Sequence, residues 1–423
     1  MSGILVTDGE LRASLAVVRS LGASGERVRV TSASGRSLAG RSRFALGDDQ
    51  VADPIADPDG FVESLRILAA RWGLDVVLPI SEASLRAVLP RRSELRALRL
   101  PFPDADVFEL ASDKARVLDR ARQVGIPTLP QQVLHDPEEA ARVAETLDSP
   151  WFPAAVKSTR SVIANLRGSA PAVRYAADAK ELAMLLRESP VEAYPLLLQR
   201  RIAGPGVGVF LLLWDNDVRA RFQHRRVREK PPSGGCSVCC ESVPLDPELA
   251  DRAERLLRSM GWRGVAMVEF KVDNATGETY LLEVNGRFWG SLQLAIAAGV
   301  DFPLRLVEAA RGGTVFPTLS FWRAIRLRWI WGEVDHLHAR MIADDPERGS
   351  GRWSDALREV LRWRRGDRTD VFRLSDPGPF IRESQLWFGD ILRRPSPVPP
   401  QPQSVPARVR HGSVGTSTTE VAE

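Results

Sequence analysis

Hydrophobic positions recur with period two over two neighbouring stretches late in the chain. In residues 265–272, Ala266, Val268, Phe270 and Val272 fall on one face and Met267, Glu269 and Lys271 on the other. In residues 280–285, Leu282 and Val284 alternate with Leu281, Glu283 and Asn285. Such alternation predicts two half-buried strands. Asp273-Asn274-Ala275-Thr276-Gly277 supplies turn residues between them, so the pair reads as a hairpin. A loop symmetric about Thr276 sets Glu269 opposite Glu283, with Asn285 two residues further along the same face. Facing carboxylates repel unless something positive lies between them. Two carboxylates and an amide oxygen are hard ligands of the kind Mg²⁺ accepts, its other positions going to water or phosphate. The plainer alternative is a solvated hairpin with Lys271 as partner to the glutamates.

The earlier pattern is of strands alternating with helices. Short apolar runs at 4–6, 27–31 and 75–80, separated by helical periodicity at 11–21 and from Ala83, predict a parallel, doubly wound sheet. Ligands of such sheets sit at the carboxyl ends of strands, which makes Thr7-Asp8-Gly9 and Ser81-Glu82 candidate pocket residues. The first strand is not followed by Gly-x-Gly-x-x-Gly, which argues against a dinucleotide. Residues 101–106 read as a proline-broken linker, and a helix opens near Lys114 with Ser112 or Asp113 as N-cap. A lysine there opposes the helix dipole unless it answers to an anion. Residues 153–158 read as a strand with Lys157 at its polar end, 160–168 as a loop and 177–188 as a helix. Strands follow at 196–199, 207–214 and 218–224, and a helix at 246–261. The glycines and prolines of 228–236 read as a lid, as a nest of backbone N–H groups around an anion, or as a plain hairpin turn.

Composition changes this picture in three places. Net charge is only +4, too little to argue for nucleic acid. Of 58 Lys and Arg residues five are lysines, so a retained Lys hints at a need for a compact ammonium. The three cysteines, Cys236, Cys239 and Cys240, form no disulfide framework and lack the second pair that a zinc site needs. MSGILVTDGE reads as no signal peptide, and no apolar run reaches about 18 residues, so a cytoplasmic protein is expected.

Four pieces, in order, resemble the ATP-grasp superfamily of carboxylate ligases: Ser112-Asp113-Lys114; Ala155-Val156-Lys157; Gln199-Arg200-Arg201-Ile202-Ala203-Gly204; and Glu269 with Glu283-Val284-Asn285-Gly286-Arg287. The resemblance implies an N-terminal α/β domain and an ATP-grasp fold, and the residues after them read as a helical extension. It implies that Lys114 and Lys157 hold ATP phosphates and that Gln199, Arg200, Arg201 and Ile202 form the hinge against adenine and ribose. Glu269, Glu283 and Asn285 would carry two Mg²⁺ (or Mn²⁺), and Arg287 would face an acyl phosphate. In-line phosphoryl transfer needs little more than this. Three departures stand out. Ser158-Thr159-Arg160 replaces a glycine-rich phosphate loop, leaving Arg160 or Arg167 as substitute donors. Gln199 or Arg200 stands where a ribose glutamate is usual, and Gly286 where a proline is common. His224 to Gly235 resembles a branch of ligases tied to cell-surface polysaccharide or amino-acid conjugation. There Arg225, Arg226 and Arg228 are candidates for an anionic substrate, and Arg226 and Lys230 join Arg287 as candidate catalytic residues.

Beyond residue 320 lie six of the eleven tryptophans, set among arginines. Packing against a neighbouring domain is the favoured reading, and peripheral membrane contact through 321–333 the other. His336-x-His338 reads as helix surface and 353–364 as an amphipathic helix. The expected domains are 1–108 (α/β), 109–315 (ATP-grasp), 316–393 (helical, Trp/Arg-rich) and 394–423 (a disordered tail, from its Pro/Ser composition). The expected activity joins a carboxylate to an amine, or alternatively a thiol, by way of an acyl phosphate. A non-catalytic ATP sensor and a phosphotransferase are the alternatives, and the sequence leaves room for a homo-oligomer.

Overall fold

The computed structural model describes residues 2–147, 151–163, 168–169, 173–232, 234–342 and 353–393. Arg167 and the tail from 394 therefore lie outside the described residues.

The first sheet is parallel and four-stranded, ordered Ala45–Gln50, Val28–Ser32, Ile4–Val6, Val76–Leu78. Ile4–Val6 and Val76–Leu78 are wholly buried, as continuous apolar runs under covering helices should be. The edge strand Ala45–Gln50, polar and half-exposed, carries no such signal and was not expected. At the carboxyl end of this sheet Asp8 takes a left-handed φ of 56°. Its carboxylate accepts from Ser81 N at 2.9 Å, Ser81 Oγ at 2.7 Å and Ser84 Oγ at 2.8 Å. The anticipated pocket at Thr7-Asp8 and Ser81 is thus a cross-link between two strand ends, its acceptor already saturated.

Residues 101–106 are no simple linker, since a helix already spans Ala105–Ser112. The helix Lys114–Gln123 follows, capped by Asp113, whose Oδ1 accepts from Arg116 N. A second, antiparallel sheet is ordered Gln131–Leu134, Leu196–Arg200, Ala154–Ser158, Arg174–Ala176. The helices Pro137–Thr146 and Ala179–Arg187 share with it a small apolar core built on Val156, Leu182 and Leu198. Val162–Ile163 pairs with Gly168–Ser169, so the stretch expected as loop holds a short ladder.

The third sheet has seven strands, ordered Thr279–Asn285, Gly264–Val272, Gly206–Trp214, Asp217–Lys230, Cys236–Ser242, Arg326–Arg328, Asp367–Thr369. It shares one continuous core with the first sheet, through Phe210, Phe222, Trp289 and Phe302 among others. The last two strands come from the Trp/Arg-rich region, which is therefore not purely helical as its pattern predicts. Trp331 stacks on Trp387 with ring centres 4.1 Å apart, and Trp329 Nε1 donates to Glu383 at 2.7 Å. That part of 321–333 is packed rather than free for a membrane, while Trp322 stays exposed. Among the described residues no helix is long and apolar enough to cross a membrane.

Candidate active site

The hairpin sets Glu269 directly opposite Glu283, but by a different route from the one the alternation implies. Near the turn the pairs are Phe270 with Leu281 and Lys271 with Tyr280; left uninterrupted, that register would face Glu269 with Leu282. A bulge at Leu282 supplies one extra residue and brings the two carboxylates together. It also breaks the alternation, so Leu282 and Glu283 line the same cleft instead of opposite faces. Asn285 continues the row, its Nδ2 donating to Glu283 Oε1 at 3.0 Å.

That cleft, of about 280 Å³, lies where the two cores meet. The small antiparallel sheet contributes Lys157 and Gln199, directly across from the acidic pair on the seven-stranded sheet. Lys157 Nζ donates to Gln199 Oε1 at 3.1 Å, and Gln199 Nε2 to Gln131 Oε1 at 3.2 Å. Burial lowers the Lys157 ammonium to about 8, with Glu283 working against that shift. Lys114, at the start of its helix, reaches within 3.7 Å of Glu283 and donates to Ser161 Oγ. Burial pushes the Glu283 carboxyl up, yet Lys114 and Lys157 outweigh it and hold the group below the usual range. Glu269 moves the other way, because burial exceeds the pull of Arg226. Arg200, Arg201 and Ile202 also line this cleft, Arg201 lying 4.4 Å over the Tyr175 ring.

A second cleft, of about 210 Å³, opens on the other side of the same two glutamates. Arg226 stands between the clefts, donating to Glu269, to Glu229 Oε1 at 2.8 Å and to the Gly235 carbonyl at 3.0 Å. Arg287 lines the second cleft, its fork donating to Asn285 Oδ1 at 3.3 Å and to the Phe288 carbonyl at 3.0 Å. Gly286 has a packing reason. A Cβ there would meet the Trp262 ring at 2.3 Å, so a proline at this position requires the indole to move.

Lys230 does not join the site. Its ammonium pairs with Asp335 and lies 5.6 Å from the Trp329 ring, and it lines neither cleft. Arg228 is buried against Glu333 and Glu359, and Arg225 pairs with Glu241, which leaves Arg226 as the one of the three beside the carboxylates. Arg160 lies near Glu109 and Asp113, at 3.6 Å from each. Lys230 pairs with Cys236, so the two strands form a hairpin, with Gly234 and Gly235 on the wall of the first cleft. Cys239 and Cys240 are buried with thiols raised by burial, Cys239 to about 12, which disfavours thiolate ligation. His336 is buried, with Nδ1 2.5 Å from the Glu229 carbonyl, rather than on the helix surface. Sequence reasoning missed Tyr175, Glu229, Arg12 and His224 as lining residues. Lys271 was legible: it shares the Glu269 face.

Residues 192–331 match the family described as "ATP-grasp in the biosynthetic pathway with Ter operon". Chloroplastic biotin carboxylase of Arabidopsis thaliana is 26% identical over 317 residues, 70% of this chain and 52% of that protein. The chain spans about half the length, or less, of the curated relatives it matches. Among solved structures, the biotin carboxylase domain dimer of Hydrogenobacter thermophilus 2-oxoglutarate carboxylase, in complex with MgADP, ADP and bicarbonate, superposes with a TM-score of 0.58. Identity there is 19%, over 75% of this chain and 72% of that one. The L-amino acid ligase of Bacillus licheniformis gives 0.57 at 17% identity, over 75% and 78%. At such identities the likeness is one of fold. Residues 192–331 of this chain therefore match an ATP-grasp family model, and its fold is shared with a biotin carboxylase domain and an L-amino acid ligase.

Proposed function

We propose that the protein is an ATP- and Mg²⁺-dependent ligase that joins a carboxylate to an amine through an acyl phosphate. One observation carries this reading: Glu269 and Glu283 form a common wall between a lysine-lined cleft and an arginine-lined one. A triphosphate in the first cleft and a carboxylate in the second meet at that wall. Lys114 and Lys157 neutralise the phosphates, and Gln199 to Ile202 form the edge against the nucleoside. Among the described residues no three His, Cys, Asp or Glu side chains converge as a metal cage. Two carboxylates and the Asn285 amide fit instead a Mg²⁺ that completes its shell with phosphate oxygens. When bound, it would draw charge from the phosphate oxygens and orient them. The substrate carboxylate oxygen attacks the γ-phosphorus as the bond to ADP breaks. The amine nitrogen then attacks the acyl carbon, phosphate leaves with the C–O electron pair, and the amine gives up a proton. Arg287 is placed to hold the acyl phosphate. The L-amino acid ligase and MgADP-bound neighbours support this reading by their fold. The proposed division of labour places both clefts on 109–315, with Arg12 reaching the second from 1–108, and gives 316–393 a supporting role.

The test is ADP and phosphate release by purified protein with ATP and Mg²⁺ against pooled amino acids and small carboxylates. Release that depends on a particular pool supports ligation. Saturable ATP binding without release in any pool would remove it.

Nucleotide affinity should depend on Lys157. Its ammonium is charged below about pH 8 and loses its proton above it. Calorimetric ADP affinity at fixed Mg²⁺ is therefore expected to fall above about pH 8, with a limiting slope of about tenfold per pH unit. Lys157→Met should bind weakly with no such fall. An unchanged profile in that variant would assign the fall to another group.

A further inference from the structure

The second cleft holds more recognition chemistry than an acyl phosphate needs. Arg12, in the first turn of the helix Arg12–Ala23, reaches its wall, although nothing in the local sequence points there. Its position is fixed from the far end of the chain. Nη1 donates to the buried Asp370, and the guanidinium lies 3.9 Å over the Trp329 ring. The opposite end of the fork, Nη2, lies beside Gly290, where a Cβ would come within 3.4 Å of it. On the same wall His224 is fully enclosed, and its Nε2 has no hydrogen-bond partner among the described residues. Ser291 Oγ sits 3.4 Å from the other ring nitrogen, Nδ1. Burial, with Arg226 nearby, takes the imidazole to about 3, so it is a neutral hydrogen-bonding group at working pH. A buried unpaired ring nitrogen is costly unless a ligand completes it.

Resting on the ligase reading, we infer that the substrate is a small diacid, with one carboxylate at Arg287 and Asn285 for activation and the second carboxylate on the Arg12 fork. The cleft, at about 210 Å³, suits a molecule of amino-acid size. Asp370 and Trp329 are positioning residues: they hold the guanidinium planar against the cleft, which gives the C-terminal segment a part in specificity.

The probes are L-aspartate and L-glutamate against L-asparagine and L-glutamine, each with ATP, Mg²⁺ and a pool of amines, using the full chain. ADP release should favour at least one acid over its amide by about tenfold or more, the scale of a charge-assisted hydrogen bond. Arg12→Gln should raise KM for that acid by a similar factor, leave the KM for ATP unchanged and abolish the preference, and Arg12→Lys should restore part of it. Gly290→Ala, whose added methyl meets only Nη2 at van der Waals distance, serves as the variant least able to disturb folding and should also raise that KM. Release driven equally by acids and amides, or by monoacids alone, overturns the diacid inference and leaves the ligase standing. If no probe drives release, calorimetry of aspartate and glutamate in the presence of MgADP decides: binding lost in Arg12→Gln supports the inference without the ligase, and no binding overturns it.

Discussion

Glu283→Gln is expected to reduce ADP release by roughly 10²–10³-fold while the protein still folds and still binds nucleotide. The substitution keeps the size of the side chain, and its amide oxygen can still accept from Asn285 Nδ2. What it removes is the negative charge facing Lys114 and Lys157, and with it one of the two carboxylates proposed to hold a phosphate-bound cation. Glu269→Gln should behave differently. Glu269 is tied to Arg226, and its loss leaves that guanidinium with Glu229 and the Gly235 carbonyl. Activity then falls for two reasons, a lost ligand and a loosened arginine between the clefts. Single-turnover ADP formation, nucleotide affinity by calorimetry and thermal melting separate these effects. Full single-turnover activity in Glu283→Gln would remove the acidic pair from the chemistry.

The acidic pair was legible because strand alternation is a local property, and Glu269 and Lys271 lie on one predicted face. Its register was legible only in outcome. No residue type marks the bulge at Leu282. Lys114 and Lys157 were legible through the rarity of lysine in an arginine-rich chain. Lys230 drew the same inference and is an ion-pair partner of Asp335, a residue 105 positions away with no sequence link to it. Arg12 and His224 were invisible for the same reason. Each reaches the cleft through tertiary packing, one by way of Asp370 and Trp329, the other through the aromatic cluster around Phe210. The tryptophans showed that the C-terminal region packs, but not that it extends the central sheet by two strands.

Glu333→Gln is expected to cost about 3–5 kcal/mol of stability, the range for removing one member of a buried charge network. Glu333 is buried and accepts from two guanidiniums, Arg228 Nε at 3.2 Å and Arg328 Nε at 3.0 Å, with a second donor from each. Both arginines are as enclosed as their partner. Arg228 keeps Glu359 at 3.2 Å and Arg328 keeps Asp367 at 3.5 Å, so the loss should fall toward the lower end of that range. Trp322→Ser, at an indole 69% exposed, is the surface control and should lie within about 0.5 kcal/mol of the parent. The consequence for activity follows from the strand. Arg228 lies two residues beyond Arg226 on Asp217–Lys230, and the strand carries one arginine to the Glu333 network and the other to Glu269. Denaturant melts should show the stability loss, and ADP release should fall at a lower temperature in Glu333→Gln than in Trp322→Ser. A melt unchanged by Glu333→Gln would show that the C-terminal segment is held in place by its tryptophan stacking alone.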